Sequence, residues 1–85
     1  MSIYDEIQAE RARQDKKWGG TKHDDQEPML AWTDYVTRYA SWAGMNALMG
    51  GEQGRGNYRR RMMQVAALAV AACEAYDRVW GGDHA

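Results

Sequence analysis

Phenylalanine is absent from this chain, and cysteine and proline occur once each. With Cys73 alone, no internal disulfide can staple a core that is small at 85 residues. One unpaired cysteine fits a reducing, intracellular setting, which points to the cytoplasm of a cell. Cys73 falls in the middle of a helical stretch and reads as a small core residue rather than a nucleophile. Charge of one sign is also lacking. Eleven Lys and Arg stand against twelve Asp and Glu, a formal net charge of −1. That balance excludes general coating of nucleic acid and acidic mimicry of DNA. No run reaches the ~20 apolar residues that span a bilayer. The charges from Asp5 onward leave no signal peptide to expect. There is no strand-like alternation, no internal repeat, no Ser/His/Asp or Cys/His arrangement and no zinc spacing.

What is present is helical. Tyr58 to Trp80 contains nothing that breaks a helix, and six of the eleven residues from Val65 to Ala75 are alanine, the best helix former. At ~100° per residue, Met62, Val65, Ala69, Ala72, Cys73, Tyr76 and Trp80 share one face. Arg60, Gln64, Glu74 and Arg78 fall opposite, but so do Ala67, Val70 and Ala71. The central turns are therefore apolar nearly all round, as in a helix buried on every side. A chain this short can hardly surround such a helix alone. The expectation is a homo-oligomer formed through it, with Val65, Ala69, Ala72, Tyr76 and Trp80 at the interface.

The remaining elements follow from their punctuation. Ser2 and Asp5 form a capping box that opens a first helix over about 2–18, its narrow apolar stripe marked by Ile3, Ile7, Gln14 and Trp18. Glu10/Arg13 and Arg11/Asp15 have the spacing of helical ion pairs. Gly19 and Gly20 end that helix. Residues 21–27 read as a polar connector, and Pro28 starts a second helix over about 28–49. Trp32, Tyr35, Tyr39 and Trp42 repeat along it at i, i+3, i+7 and i+10. Residues 50–57, with four glycines in eight, read as a flexible loop. A third helix covers about 58–80, capped by Asn57 and closed by Gly81-Gly82, with Asp83-His84-Ala85 as a tail. The predicted fold is all-α, a single domain built as a three-helix antiparallel bundle.

Four constellations could carry chemistry. Glu74 and Asp77, three apart on a helix, share a face and could hold Mg²⁺; equally they could be solvated carboxylates beside Arg78. His23, Asp24 and Asp25 could bind a metal or move protons, or form a polar turn at the start of the next helix. Arg59, Arg60 and Arg61 follow a glycine-rich stretch at a helix start, where an anion such as phosphate is favoured; a solvated basic turn has the same composition. The stripe Trp32, Tyr35, Tyr39, Trp42 could stack a base or simply form core. Trp18, just before the double glycine, is the more exposed aromatic candidate. A nucleotide would draw on Arg59, Arg60, Arg61, Trp18, Lys22 and His23.

Two stretches resemble a signature of small phage and prophage proteins. One is Glu10-Arg11-x-Arg13-Gln14-Asp15-x-Lys17-Trp18-Gly19 with His23-Asp24-Asp25. The other runs from Gln64-Val65-Ala66-Ala67-Leu68 through Cys73 to Glu74-x-x-Asp77-Arg78. Some proteins with similar ends also resemble MazG-like all-α nucleotide pyrophosphatases, in which an E-E-x-x-E motif and a later E-x-x-D motif together bind Mg²⁺ and the triphosphate. Glu74 and Asp77 match the second motif. The segment where the first belongs reads WTDYVTRYASWAGM and offers only Asp34. The resemblance therefore implies a phage accessory protein, acting without catalysis and with no cofactor, that counters host defence by sequestering a nucleotide signal or blocking a defence protein. The alternative it implies is a divergent Mg²⁺-dependent pyrophosphatase using Glu74 and Asp77, with Asp24 and Asp25 as further metal ligands.

Overall fold

The structure, a computed structural model, describes residues 2–81. The second glycine of the expected Gly81-Gly82 stop, and the tail after it, lie outside these residues. Among the described residues the chain is all-helical: α1 (Ile3–Trp18), α2 (Gly20–Gln26), α3 (Met29–Met49) and α4 (Gly51–Val79). No helix among them is long and apolar enough to cross a membrane.

Helix α1 starts at the capping box. The Asp5 amide donates to Ser2 Oγ at 3.1 Å, and the Ser2 amide donates to Asp5 Oδ2 at 3.2 Å. It ends at Gly19, whose left-handed backbone lets its amide reach the Asp15 carbonyl at 2.9 Å. Of the expected stripe, Gln14 is buried, Ile7 and Trp18 are half-buried and Ile3 is exposed. The other buried residues, Glu10 and Arg11, are charged. The three buried residues are held to α1 and α4 by polar bonds. Arg11 Nη1 pairs with Glu74 Oε1 at 2.9 Å, and Glu10 accepts from Arg13 at 2.7 Å and from Gln14 at 3.2 Å. Arg11 thus turns to α4 instead of pairing with Asp15 along its own helix.

Two segments read as loops are helical. Residues 20–26 make the short helix α2 because their polar side chains find partners: His23 reaches Glu27 one turn on, and Asp25 pairs with Arg78 of α4 at 2.7 Å. Residues 51–57 are the first turns of α4 rather than a flexible loop. Gly50 and Gly51, both with φ near +70°, reverse the chain in a very short connection. Gly54 then lies buried against α3, so close that a Cβ there would stand 2.7 Å from the Asn46 carbonyl oxygen. Packing of this hairpin overrides the poor helix propensity of its glycines.

The antiparallel pair α3–α4 is the body of the fold. Trp32, Leu68, Ala71 and Ala75 are its buried centre, with Trp18, Tyr35, Val36, Tyr39 and Ala72 packed around them. Helix α4 touches α1, α2 and α3, but α1 and α3 do not approach each other. Among the described residues four helices stand where three were read from the sequence, and α1 and α3 are joined through α4. Within the single chain the buried line of α4 is Gly54, Ala67, Leu68, Ala71 and Ala75. The stripe expected between copies, Met62, Ala69, Cys73, Tyr76 and Trp80, is exposed, with Val65 and Ala72 half-buried. Cys73, read as a core residue, is therefore at the surface of the chain. Alanine is small enough that the faces pressed against two neighbours, not the most hydrophobic face, decide which residues disappear.

Candidate functional site

Because α1 and α3 both lie on α4 without meeting, a groove runs between them. Its lining comes from the C-terminal end of α1, from α2 and from α3. Side chains, not backbone, bridge it. The Trp18 and Tyr35 rings lie 6.5 Å apart with planes 15° from parallel, and Trp32 meets Tyr35 edge-on at 6.0 Å. A cavity of about 200 Å³ opens here, lined by Trp18, His23, Trp32, Tyr35, Arg38 and Tyr39. One turn further along α3, Tyr39 and Trp42 pack at 4.9 Å. The Arg61 guanidinium of α4 stands over this pair, 4.9 Å from the Trp42 ring and 5.9 Å from Tyr39. The sequence stripe thus takes two roles: Trp32 is core, whereas Tyr35, Tyr39 and Trp42 present ring surface to the groove.

Its electrostatics are uneven. At the α2 end, each ring nitrogen of His23 faces a carboxylate, Nδ1 to Asp24 at 3.2 Å and Nε2 to Glu27 at 2.9 Å. The Tyr35 hydroxyl donates to the same Glu27 oxygen at 3.1 Å. Burial, and then that bond to an acceptor that penalises the phenolate, push the Tyr35 pKa above its ordinary value. Along α3 the sign changes. Arg38 on the cavity rim and Arg61 make no ion pair among the described residues, and Arg61 bonds only the neutral Gln64 side chain at 3.1 Å. Two unneutralised guanidiniums beside stacked rings can take a planar, anionic group.

The residues singled out from the sequence are distributed unevenly. Trp18, His23 and Arg61 line or border the groove. Lys22 lies exposed on α2. Arg59 and Arg60 face elsewhere, into a cleft of about 430 Å³ between α1 and α4, where Arg59 pairs with Glu6 at 2.8 Å. The three arginines also sit two turns inside α4 rather than at its start, so they share no site with free helix N-terminal amides. Of the carboxylates, Glu74 is held by Arg11 and Asp25 by Arg78, while Asp24 is buried beside His23. Among the described residues no three His, Cys, Asp or Glu side chains gather where a metal ion could sit. Arg38 was not singled out. Its signal was its place between Tyr35 and Tyr39, a cation on the flank of an aromatic stripe. No protein-family model, curated protein or solved structure matches this chain.

Proposed function

We propose that this protein works by binding, without turnover, and that its ligand is a nucleotide seated in the groove between α1 and α3. The base lies against Trp18, Tyr35, Tyr39 or Trp42, and the phosphate is held by Arg38 and Arg61. The observation that carries this reading is the pairing of aromatic rings, Trp18 stacked on Tyr35 and Tyr39 tilted against Trp42, with two guanidiniums that no carboxylate among the described residues neutralises. Stacking on such rings is worth ~1–3 kcal/mol per base. A bond from a charged donor adds ~1.5–3 kcal/mol. The resemblance to phage and prophage proteins makes a nucleotide signal of host defence the ligand class to try first, with sequestration as the effect.

The test is a panel of linear and cyclic nucleotides, incubated with excess protein and Mg²⁺, filtered, and quantified before and after heating. A nucleotide that disappears and returns intact on heating supports sequestration, and its retention is lost in Arg61→Ala and Trp18→Ala. A new product assigns the protein to the Mg²⁺-dependent pyrophosphatase alternative, with Glu74 and Asp77 as the residues to change. If all nucleotides pass through, the small-molecule reading fails and a defence protein becomes the target to seek.

A further inference from the structure

The α3–α4 layer has a second side, facing away from α1; α2 borders it at one end, where Asp24, Asp25 and Glu27 share a small pocket with Met29 and Tyr76, and along the rest no other described helix lies over it. On α3, Met29, Thr33, Ala40, Gly44 and Ala47 recur at helical spacing and are all exposed. On α4, Tyr58, Met62, Ala69, Cys73 and Tyr76 do the same. Near one end the two rows meet in a shallow depression of about 310 Å³ between Met29, Thr33, Ala72, Cys73 and Tyr76, with Trp32 and Asp77 also in its lining. The two rows are themselves uncharged, in a chain that is 27% charged, and this side of α4 carries only Arg55 near its start and Asp77 near its end. A fully solvated side of a helix pair would carry more charge.

We infer that this side is covered by a second copy of the chain, giving a dimer whose centre is a four-helix bundle made of two α3–α4 layers. Four features select that occupant. The core of a single chain holds one large, fully buried side chain, Leu68, which is too little for a domain of this size to stand alone. The missing cover must be present wherever the chain is folded, and another copy always is. The size fits: α3 is about 30 Å long, and two helices at ~10 Å each give roughly 600 Å² in projection. The accessible surface of so uneven a face is larger, close to the ~800 Å² that each partner contributes to a stable interface. The chemistry is self-compatible, since a face whose two charges, Arg55 and Asp77, lie near opposite ends of α4 meets its own copy with little like-charge repulsion. Ala40, Gly44 and Ala47 opposite Ala69, Ala72 and Cys73 let the layers approach closely, and stacked helix pairs are a standard bundle arrangement.

The aromatic groove lies on the other side of the layer, so the dimer leaves one groove open per subunit. The proposal therefore stands whether or not a nucleotide binds there. Sedimentation of the full chain tests it, with Ala40→Glu and Ala69→Glu placing a charge on the face and Ser41→Glu placing one on the neighbouring outer surface of α3. All three positions are exposed in the single chain. The wild type and Ser41→Glu should sediment at twice 9.7 kDa, and their melting temperature should rise with protein concentration. The two face variants should lose the dimer, as folded monomer or as unfolded chain. A wild-type protein that sediments at 9.7 kDa and melts independently of concentration overturns the proposal. So does a dimer that survives both face variants.

Discussion

Gly54 and Gly56 are two residues apart on one helix, and substituting alanine at each should have opposite effects. Intrinsic propensity favours alanine at both by about 1 kcal/mol. At Gly56 an added Cβ meets nothing within 4 Å, so the gain should appear almost whole. At Gly54 the Cβ would stand 2.7 Å from the Asn46 carbonyl oxygen. A comfortable carbon–oxygen approach is ~3.3–3.6 Å, so α4 must withdraw by on the order of 0.6 Å. The obstacle is backbone and cannot rotate away. Overpacking of this kind costs about 1–3 kcal/mol, which cancels the propensity gain or exceeds it. The two variants should differ by roughly the same 1–3 kcal/mol, a gap of at least ~4 °C in melting temperature for a domain of this size. Circular dichroism melts at one protein concentration, with denaturant titrations beside them, read this directly. If Gly54→Ala is stabilised as much as Gly56→Ala, α3 and α4 do not cross closely at the hairpin, and residues 51–57 are not packed as described.

Other outcomes follow from the polar contacts. Glu74→Ala leaves the Arg11 guanidinium, whose side chain is 10% exposed, without its partner; the loss should be ~1–3 kcal/mol in urea titrations. Adding Arg11→Met should recover most of it, because an apolar pair tolerates that burial better than a lone charge. Tyr35 has its pKa raised in the folded state, so its contribution is intact below about pH 10 and is lost as pH rises through the folded value. Stability measured from neutral to alkaline pH should fall more steeply in the wild type than in Tyr35→Phe; equal slopes would contradict a Tyr35 pKa raised by burial and the Glu27 bond. Arg59→Ala removes an ion pair whose Arg59 side chain is largely exposed, so it should cost less than ~1 kcal/mol. It should also leave nucleotide retention unchanged, whereas Arg61→Ala abolishes it.

The all-helical class was legible because the helix signals are local: the capping box at Ser2, the stop at Gly19 and the alanine run of α4 are each set by neighbouring residues. What was not legible depends on partners distant in sequence. Residues 51–57 look like a loop by composition, and only contact with Asn46 makes Gly54 an asset. On α1, Gln14 stood on the predicted stripe, but the burial of Glu10 and Arg11 escaped a hydropathy reading because both are charged and Arg11 depends on Glu74 of α4. The groove was half legible. The spacing of Tyr35, Tyr39 and Trp42 placed three rings along one helix, and Trp18 stood out beside its glycines. That Arg61 would join them while Arg59 and Arg60 turned to the far side of α4 follows from ~100° per residue, but only once the groove's position is known.

The measurement that bears most directly on nucleotide binding is the indole N–H spectrum of the four tryptophans during nucleotide titration. Trp18 and the buried Trp32 line the cavity, Trp42 lies one turn further along α3 in the adjoining pocket with Arg61, and Trp80 lies exposed beyond the end of α4. A nucleotide held between α1 and α3 should shift the Trp18 and Trp42 signals together, to saturation, leave Trp80 in place, and lose its effect in Arg61→Ala. Signals that stay fixed with every nucleotide, or shifts confined to Trp80, would contradict the groove as the binding site.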